Sequence, residues 1–391
     1  MFKKYLGLER NVFLLGITSF FNDISSQMVV AIFPAFIVSV LKSGAAALGL
    51  VEGIADGFAN VVKIYSGYLS DRMQKRKGFV ILGYSLSVLS RPFYTVFSSV
   101  GGMIGLRVVD RIGKGFREAP RDAIISLSSP KEELGRSFGY HRAMDTAGAI
   151  VGPFIAYFIL KAFPDRFAYV FMTAFVLGFL AVLTVLFVDD VKGVVRSKLL
   201  SVSNFKILSP QIKLYLASLF LLSFGTIPVA ILLLKTQSLG LSLASIPLFY
   251  AVYNVTYAGL SIVAGNASDK RGPRIVIIVG YLTLIVGYIV IGFANSVSVL
   301  VVSFLILGLY QALSDGVSRS YLAQMTSEHE RGSAYGLFNA VSGFGALGAG
   351  VMGGYLWQVY GPASALAVSS ILIVFGILLL LQVKKISENV S

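Results

Sequence analysis

Long apolar segments follow one another along almost the whole chain, and they constrain its fold more than any other feature. Twelve of them are long enough to cross a bilayer, for which an α-helix needs about 20 residues. They cover residues 11–41, 46–70, 78–99, 101–127, 136–163, 167–188, 210–236, 243–268, 274–294, 297–325, 333–359 and 363–383. Because hydrocarbon offers backbone groups no hydrogen-bond partner, such segments fold as helices. The sequence therefore predicts an all-α polytopic membrane protein with twelve transmembrane helices.

The composition argues against several classes of function. Of the 391 residues, 56% are hydrophobic and only 13% are charged, which leaves little polar sequence for a soluble catalytic domain. With no cysteine and only His141 and His329, a thiolate or histidine-rich metal centre is not expected. The chain lacks a phosphate-binding loop of the G-x-x-x-x-G-K-(S/T) kind, so ATP is not its direct energy source. We expect no enzyme activity, no cofactor and no metal.

The basic residues predict the orientation in the membrane. The formal net charge is +14, and Lys and Arg are concentrated in alternate connections, among them residues 72–77, 192–213 and 270–274. The opposite connections offer only Lys42, Lys161, Arg166 and Lys235. By the positive-inside rule, the basic connections and both termini are cytoplasmic. We therefore expect a monomer in the lipid bilayer of the cytoplasmic (inner) membrane, and the charge requires no nucleic-acid partner.

The two halves of the chain resemble each other. GYLSDRMQKRKGFVILGY (67–84) matches GNASDKRGPRIVIIVGY (265–281), and Asp71 then aligns with Asp269. A second match joins residues 132–153 to residues 328–350. We predict an N-terminal six-helix half (1–188), a cytoplasmic connecting loop (189–209) and a C-terminal six-helix half (210–391). Two such repeats around a midplane site are typical of secondary transporters.

One apolar segment is unusually rich in charge: LRVVDRIGKGFREAPRD, residues 106–122. At about 100° per residue, five of its charged side chains fall on one stripe. The members of this charged stripe are Arg107, Arg111, Lys114, Glu118 and Arg121. A charge at the bilayer centre costs roughly 2.5–3.5 kcal/mol, so the stripe should face partner side chains or a water-filled cavity. The alternative for residues 117–122 is a position among the lipid headgroups.

Several motifs resemble those of the major facilitator superfamily of secondary transporters. The residues that resemble its G-x-x-x-D-R-x-x-(K/R)-(K/R) loop and a weaker second copy are Gly67, Asp71, Arg72, Arg76, Asp269 and Lys270. Arg111, Lys114 and Gly115 resemble its R-x-x-q-G signature, and Gly148, Gly152 and Pro153 its antiporter motif, without the glycine pair that follows in the family. The resemblance implies two rocking six-helix halves. The doubled loop predicts a conformational latch; its alternative is a loop that only orients the chain.

Carboxylates in the apolar segments are candidates for proton coupling. Burial favours the protonated form of such a group, and a nearby arginine favours the ionised form, so the group can bind and release a proton. Our first choice is Asp23 opposite Arg111; a static ion pair is the alternative. The further coupling candidates are Glu52, Asp56 and Asp145. The candidates for substrate binding are Arg107, Asp110, Lys114, Asn254, Asp315 and Arg319.

The combined features predict a secondary active transporter that moves a small solute by alternating access. Acidic groups within the membrane, with no recognisable sodium site, favour proton-coupled export. The charges in residues 107–122, five positive against three negative, favour an organic anion or a metal chelate as the substrate. One alternative is a multidrug/H+ antiporter for lipophilic or cationic compounds. Another is a non-transporting sensor with the same fold, which counterflow in proteoliposomes would distinguish from a transporter.

Overall fold

The computed structural model describes residues 4–5, 7–73, 75–130, 133–191, 208–326 and 331–383. Two short strands, Lys4–Tyr5 and Leu8–Glu9, pair before the first helix. The long helices of the first half are α1 (Arg10–Ser39), α2 (Ala45–Met73), α3 (Arg76–Phe93), α4 (Val100–Ser128), α5 (Leu134–Ala162) and α6 (Phe167–Leu186). Those of the second half are α7 (Pro210–Phe224), α8 (Ile246–Arg271), α9 (Pro273–Gly292), α10 (Val297–Met325), α11 (Arg331–Val359) and α12 (Pro362–Gln382).

The predicted all-α polytopic fold is confirmed. Ten helical stretches within the described residues are long and apolar enough to cross a membrane. The other two long helices carry more charge: α3 contains Arg76, Lys77 and Arg91, and α4 contains the charged stripe. These charges therefore need partners inside the protein.

The seventh predicted segment, residues 210–236, is not one continuous helix. The α7 helix ends at Phe224, and two four-residue helices, Val229–Leu232 and Lys235–Ser238, follow it. Pro228 causes the break, because proline has no N–H and disfavours a helical conformation in the preceding residue. Tyr288 of α9 compensates: its hydroxyl accepts a hydrogen bond from the N–H of Ile227 (2.7 Å) and donates one to the carbonyl of Gly225 (3.1 Å).

The six helices of each half pack in the same pattern. In the first half α1 packs on α5 and α6, α4 on α2 and α3, and α3 on α6. In the second half α7 packs on α11 and α12, α10 on α8 and α9, and α9 on α12. At equivalent places, Arg76 donates to the carbonyl of Val191 (2.9 Å) and Arg274 to that of Val383 (2.8 Å), so the start of each third helix binds just beyond the sixth.

The halves meet most extensively where α2 packs on α11, and also where α5 packs on α8. Along α2, Gly49, Gly53 and Gly57 follow one another at four-residue intervals and face α11. A Cβ atom at Gly49 would lie 2.0 Å from the carbonyl oxygen of Gly350, and one at Gly53 would lie 2.9 Å from that of Leu347. Only glycine permits this close approach of two backbones. The spacing of these glycines is visible in the sequence, but the identity of the partner helix is not.

Candidate functional site

A polar cavity of about 880 Å³ lies between the two halves. Helices α1, α2, α4 and α5 line it on one side, and α8 and α10 line it on the other. It runs from Gln27, in the middle of α1, to Asp122 and Asp269, near the ends of α4 and α8. Beside Gln27 the halves touch, because the Tyr250 hydroxyl donates to the Gln27 side-chain oxygen at 2.8 Å. We call this space the main cavity.

Charges of both signs line the main cavity in nearly equal number. Seven are cations: Lys63, Arg111, Lys114, Arg117, Arg121, Arg142 and Arg319. Eight are carboxylates: Asp23, Asp56, Asp110, Glu118, Asp122, Asp145, Asp269 and Asp315. The basic excess of residues 107–122 is therefore compensated by acids from other helices. Four members of the charged stripe line this cavity, and Arg107 does not.

Arg107 instead lies in a buried ion-pair cluster around Glu52. Both side chains are nearly fully buried, with 1% and 5% of their residues' surface exposed, respectively. The Arg107 Nε donates to Glu52 Oε1 at 2.9 Å, its Nη2 contacts the same oxygen, and its guanidinium lies 4.6 Å from the centre of the Phe33 ring. The Arg111 Nη2 lies 3.4 Å from Glu52 Oε2, and its Nε lies 3.1 Å from Asp56. The cluster ties α2 to α4.

Asp23 is not paired with Arg111, contrary to our first choice. Within the described residues no Lys, Arg or His nitrogen lies within 4 Å of its carboxylate, which accepts a hydrogen bond from the Asn22 amide at 3.0 Å. Arg111 cannot serve it, because Glu52 and Asp56 on α2 already hold this guanidinium. Asp23 nevertheless lines the main cavity.

Asp145 lies close to Asp23 across the α1–α5 contact. Its carboxylate accepts a short hydrogen bond from Ser19, one turn before Asp23, and lies 3.6 Å from His141 Nδ1. A Cβ atom at Gly148, one turn after Asp145, would lie 3.0 Å from that of Asp23. The five coupling candidates thus separate into an ion-paired group on α2 and α4 and an α1–α5 pair without Lys or Arg partners.

The candidates for substrate binding differ in how closely their side chains already contact other protein groups. Asn254 donates to the carbonyl of Ala149 at 3.4 Å, and Asp110 lies 3.5 Å from Arg107 Nη1. Lys114 reaches Glu118 only at 3.8 Å, while the other Glu118 oxygen binds Lys63 at 2.5 Å. The Arg319 side chain has no carboxylate within 4 Å in the part of the chain that the structure describes.

Sequence reasoning missed a hydrogen-bonded connection that crosses the cavity. The Tyr257 hydroxyl of α8 accepts from Arg142 Nη2 of α5 at 2.6 Å and donates to Asp315 of α10 at 2.7 Å. Arg142 and Tyr257 are 115 residues apart, and neither lies in a motif that indicates a partner. The repeat could have placed α5 beside α8, but not these two side chains.

The latch residues lie at the ends of α2, α3 and α8. The structure does not describe the side chains of Gly67 and Asp71. Arg76 is buried against Val191 within its own half. Arg72 and Lys270 are exposed, and Asp269 lines the main cavity. The latch therefore stays a prediction.

Comparison with known proteins identifies the family to which this architecture belongs. The sequence model of the Major Facilitator Superfamily matches residues 15–224 and again residues 214–389. The chain belongs to the Major Facilitator Superfamily. An uncharacterized MFS-type transporter of Methanocaldococcus jannaschii is 35% identical over 381 residues, which cover 95% of each chain. The quinolone resistance protein NorA of Staphylococcus aureus is 24% identical over 229 residues, which cover 56% of this chain and 58% of that one.

Solved structures of superfamily members share the fold at low sequence identity. The nucleoside transporter NupG superposes with a TM-score of 0.79 at 14% identity, over 95% of this chain and 98% of that one. The human organic anion transporter MFSD10 superposes with a TM-score of 0.66 at 14% identity, over 95% and 99%. These likenesses establish the superfamily fold for this chain.

Proposed function

We propose that this superfamily member is a proton-coupled antiporter that exports a small organic anion across the cytoplasmic membrane. The observation that carries the proposal is the placement of Lys114 and Arg319. They stand on opposite halves, both line the main cavity, and each lacks a close carboxylate partner of its own within the described residues. An anion held between them would contact both halves at once. Such a ligand can shift the balance between two conformations, because its contacts differ between them.

The proton would be carried by the α1–α5 pair. Asp23 and Asp145 line the cavity without a Lys or Arg partner in the described residues, so either can lose its charge without leaving an arginine unpaired. The antiporter-like glycines lie beside them: Cβ atoms at Gly148 and Gly152 would lie 2.6 and 2.5 Å from the carbonyl oxygens of Phe20 and Ile24. Close packing of α5 on α1 thus adjoins the proposed proton site.

A multidrug antiporter for cationic compounds is the second candidate. It is favoured by the similarity to the quinolone resistance protein and by the eight carboxylates of the main cavity. The two candidates require ligands of opposite charge, so a binding experiment can separate them.

The test is a ligand-stabilisation screen on purified protein with organic anions, anionic metal chelates and lipophilic cations. We expect anions to raise the melting temperature of the wild type, and Lys114→Ala and Arg319→Ala each to weaken their binding about tenfold or more, about 1.4 kcal/mol. Lys161→Ala, at the exposed end of α5, is the matched control and should bind as the wild type does. Stabilisation of the protein by lipophilic cations alone would reject the anion proposal and favour the multidrug antiporter.

A further inference from the structure

A second cavity of about 400 Å³ adjoins the main cavity. The two share one edge, which includes Lys114, Gln311 and Arg319. Beyond this edge the second cavity reaches between α7, α9, α10 and α11 of the second half, where Tyr281 and Tyr310 also line it. Both volumes fall within the roughly 300–1,000 Å³ typical of small-ligand sites. A ligand held at the shared edge could therefore extend into the second cavity.

The wall of the second cavity is rich in uncharged hydrogen-bonding side chains. Five of them form no side-chain hydrogen bond within the described residues: Ser223, Gln311, Ser318, Asn339 and Ser342. Buried polar groups in proteins are nearly always hydrogen-bonded, and an unpaired one is costly. Because these groups lie in a membrane-spanning region, they indicate a cavity adapted to a polar ligand or to water.

The different polarity of the two cavities predicts a ligand with two chemically different parts. The shared edge carries three cations, Lys63, Lys114 and Arg319, and three carboxylates, Asp56, Glu118 and Asp315. Each carboxylate already binds another side chain, Asp56 that of Arg111, Glu118 that of Lys63 and Asp315 that of Tyr257, which leaves Lys114 and Arg319 as the cations open to a ligand. Hydroxyl and amide groups dominate the wall beyond this edge. A ligand with its anionic group between Lys114 and Arg319 would place its body among Gln311, Asn339 and Ser342. An alkyl body would leave those groups without partners, which costs affinity, whereas a hydroxylated body would satisfy them.

We propose that the substrate is an anion with a polyhydroxylated body, of the sugar-acid or sugar-phosphate class. This inference rests on the proposed function, since it takes the Lys114–Arg319 edge as the anion site. It adds the polar wall of the second cavity as a second recognition element, which distinguishes anions that have the same charge but different bodies. A carboxylate and a phosphate are both anionic and would both bind Lys114 and Arg319. The test therefore compares the two head groups.

The experiment compares four anions that differ in head and body. Gluconate and sorbitol 6-phosphate carry hydroxyl groups; hexanoate and hexyl phosphate have six-carbon bodies without them. Binding is measured by thermal stabilisation of the purified full chain, with sorbitol as the uncharged polyol. We expect each hydroxylated anion to bind at least tenfold more tightly than its alkyl counterpart, with the tighter head group identifying the class. Equal binding of hydroxylated and alkyl anions would overturn the second site while leaving the anion site standing.

Substitutions in the wall of the second cavity test whether these residues distinguish hydroxylated from alkyl anions. Asn339→Leu and Gln311→Leu keep side-chain size but remove hydrogen bonding, so each should weaken binding of the hydroxylated anion about tenfold and leave the alkyl anion unchanged. Asn295→Leu, in the exposed connection before α10, is the matched control. If Asn339→Leu is not recovered folded, Ser223→Ala makes a smaller change in the same wall with the same expected direction. Sorbitol binding without anion binding would reject the proposed function instead, and no binding of any probe would reject both.

Discussion

At the scale of single residues, the carboxylates of the site fall into two environments with different consequences. Glu52 is buried with arginines on its oxygens, whereas Asp23 faces the cavity with an amide as its hydrogen-bond donor. The sequence could predict that acids lie near the charged stripe, because isolated charges cannot lie in lipid. It could not predict the pairing, because two positions one turn apart on α2 compete with Asp23 for the same arginine. Which carboxylate contacts the arginine depends on how each helix is rotated about its own axis, and sequence patterns do not give that rotation.

The first prediction concerns Asp23→Asn. The substitution fixes a neutral side chain of nearly the same size, and no described arginine loses a partner, so the protein should fold. Uptake driven by an imposed pH gradient in proteoliposomes should be abolished, while counterflow exchange, which needs no net proton movement, should continue. Asp122→Asn is the control, because Asp122 lines the same cavity but binds its neighbour Arg121. Wild-type gradient-driven rates in folded Asp23→Asn would shift the proton to Asp145.

The second prediction concerns Glu52→Gln, which should act on stability rather than on coupling. The change removes the charge that faces Arg107, whose residue is 1% exposed, and breaking a buried pair on one side costs about 3–5 kcal/mol. We expect a markedly lower melting temperature in detergent. Arg107→Met with Glu52→Gln together should recover part of the loss, because no charge is then left unpaired in that contact. A melting temperature like that of the wild type for Glu52→Gln would contradict the structural role of the cluster.

At the scale of helices, proline and glycine decide where regular packing changes. The break at Pro228 and the α2–α11 contact were both encoded in the sequence, as a proline inside an apolar segment and as glycines at four-residue spacing. Hydropathy reasoning predicted a single helix over residues 210–236, because a window of about 20 residues does not distinguish one helix from three. Glycines at four-residue spacing indicate that some helix comes close, but not which one.

The third prediction tests that close approach. Gly49→Ala places a methyl group where the Gly350 carbonyl oxygen lies, so α2 and α11 must separate; overpacking of this kind costs roughly 1–3 kcal/mol. Melting temperature should fall, and spin-label distances between α2 and α11 should increase in the same variant. Gly105→Ala in α4 is the matched control, because nothing lies within 4 Å of its Cβ position. There the same methyl group should leave stability unchanged or raise it by about 0.5–1 kcal/mol. Equal effects at the two sites would argue against the contact.

At the scale of the whole molecule, the repeated six-helix pattern was the part most open to prediction. Periodic apolar segments and two matching loops predicted two similar halves. The structure adds that Arg76 and Arg274 bind carbonyl groups at equivalent places. The cavity between the halves was less predictable, since it depends on how α5 and α2 meet α8 and α11. Local sequence cannot encode contacts between residues more than a hundred positions apart, such as Arg142 and Tyr257.

The fourth prediction concerns orientation. The basic connections at residues 72–77 and 270–274 should face the cytoplasm, because positive charge is retained on that side. The chain has no cysteine, so Lys75→Cys and Arg271→Cys each give a single labelling site, and Ser98→Cys marks the other end of α3. An impermeant maleimide added to intact cells should label only Ser98→Cys. Labelling of Lys75→Cys or Arg271→Cys from outside would show that the orientation is the opposite one, with the main cavity open to the outside.

The near balance of seven cations and eight carboxylates around the main cavity bears on electrogenicity. Moving one elementary charge through a potential of 100 mV changes the free energy by about 2.3 kcal/mol. When both signs shift together with the helices that carry them, most of that work cancels. The protein's own charges should therefore add little voltage dependence to the reorientation of either the substrate-loaded or the protonated form. Any current measured across a bilayer would then report the valence of the cargo and the number of protons exchanged for it.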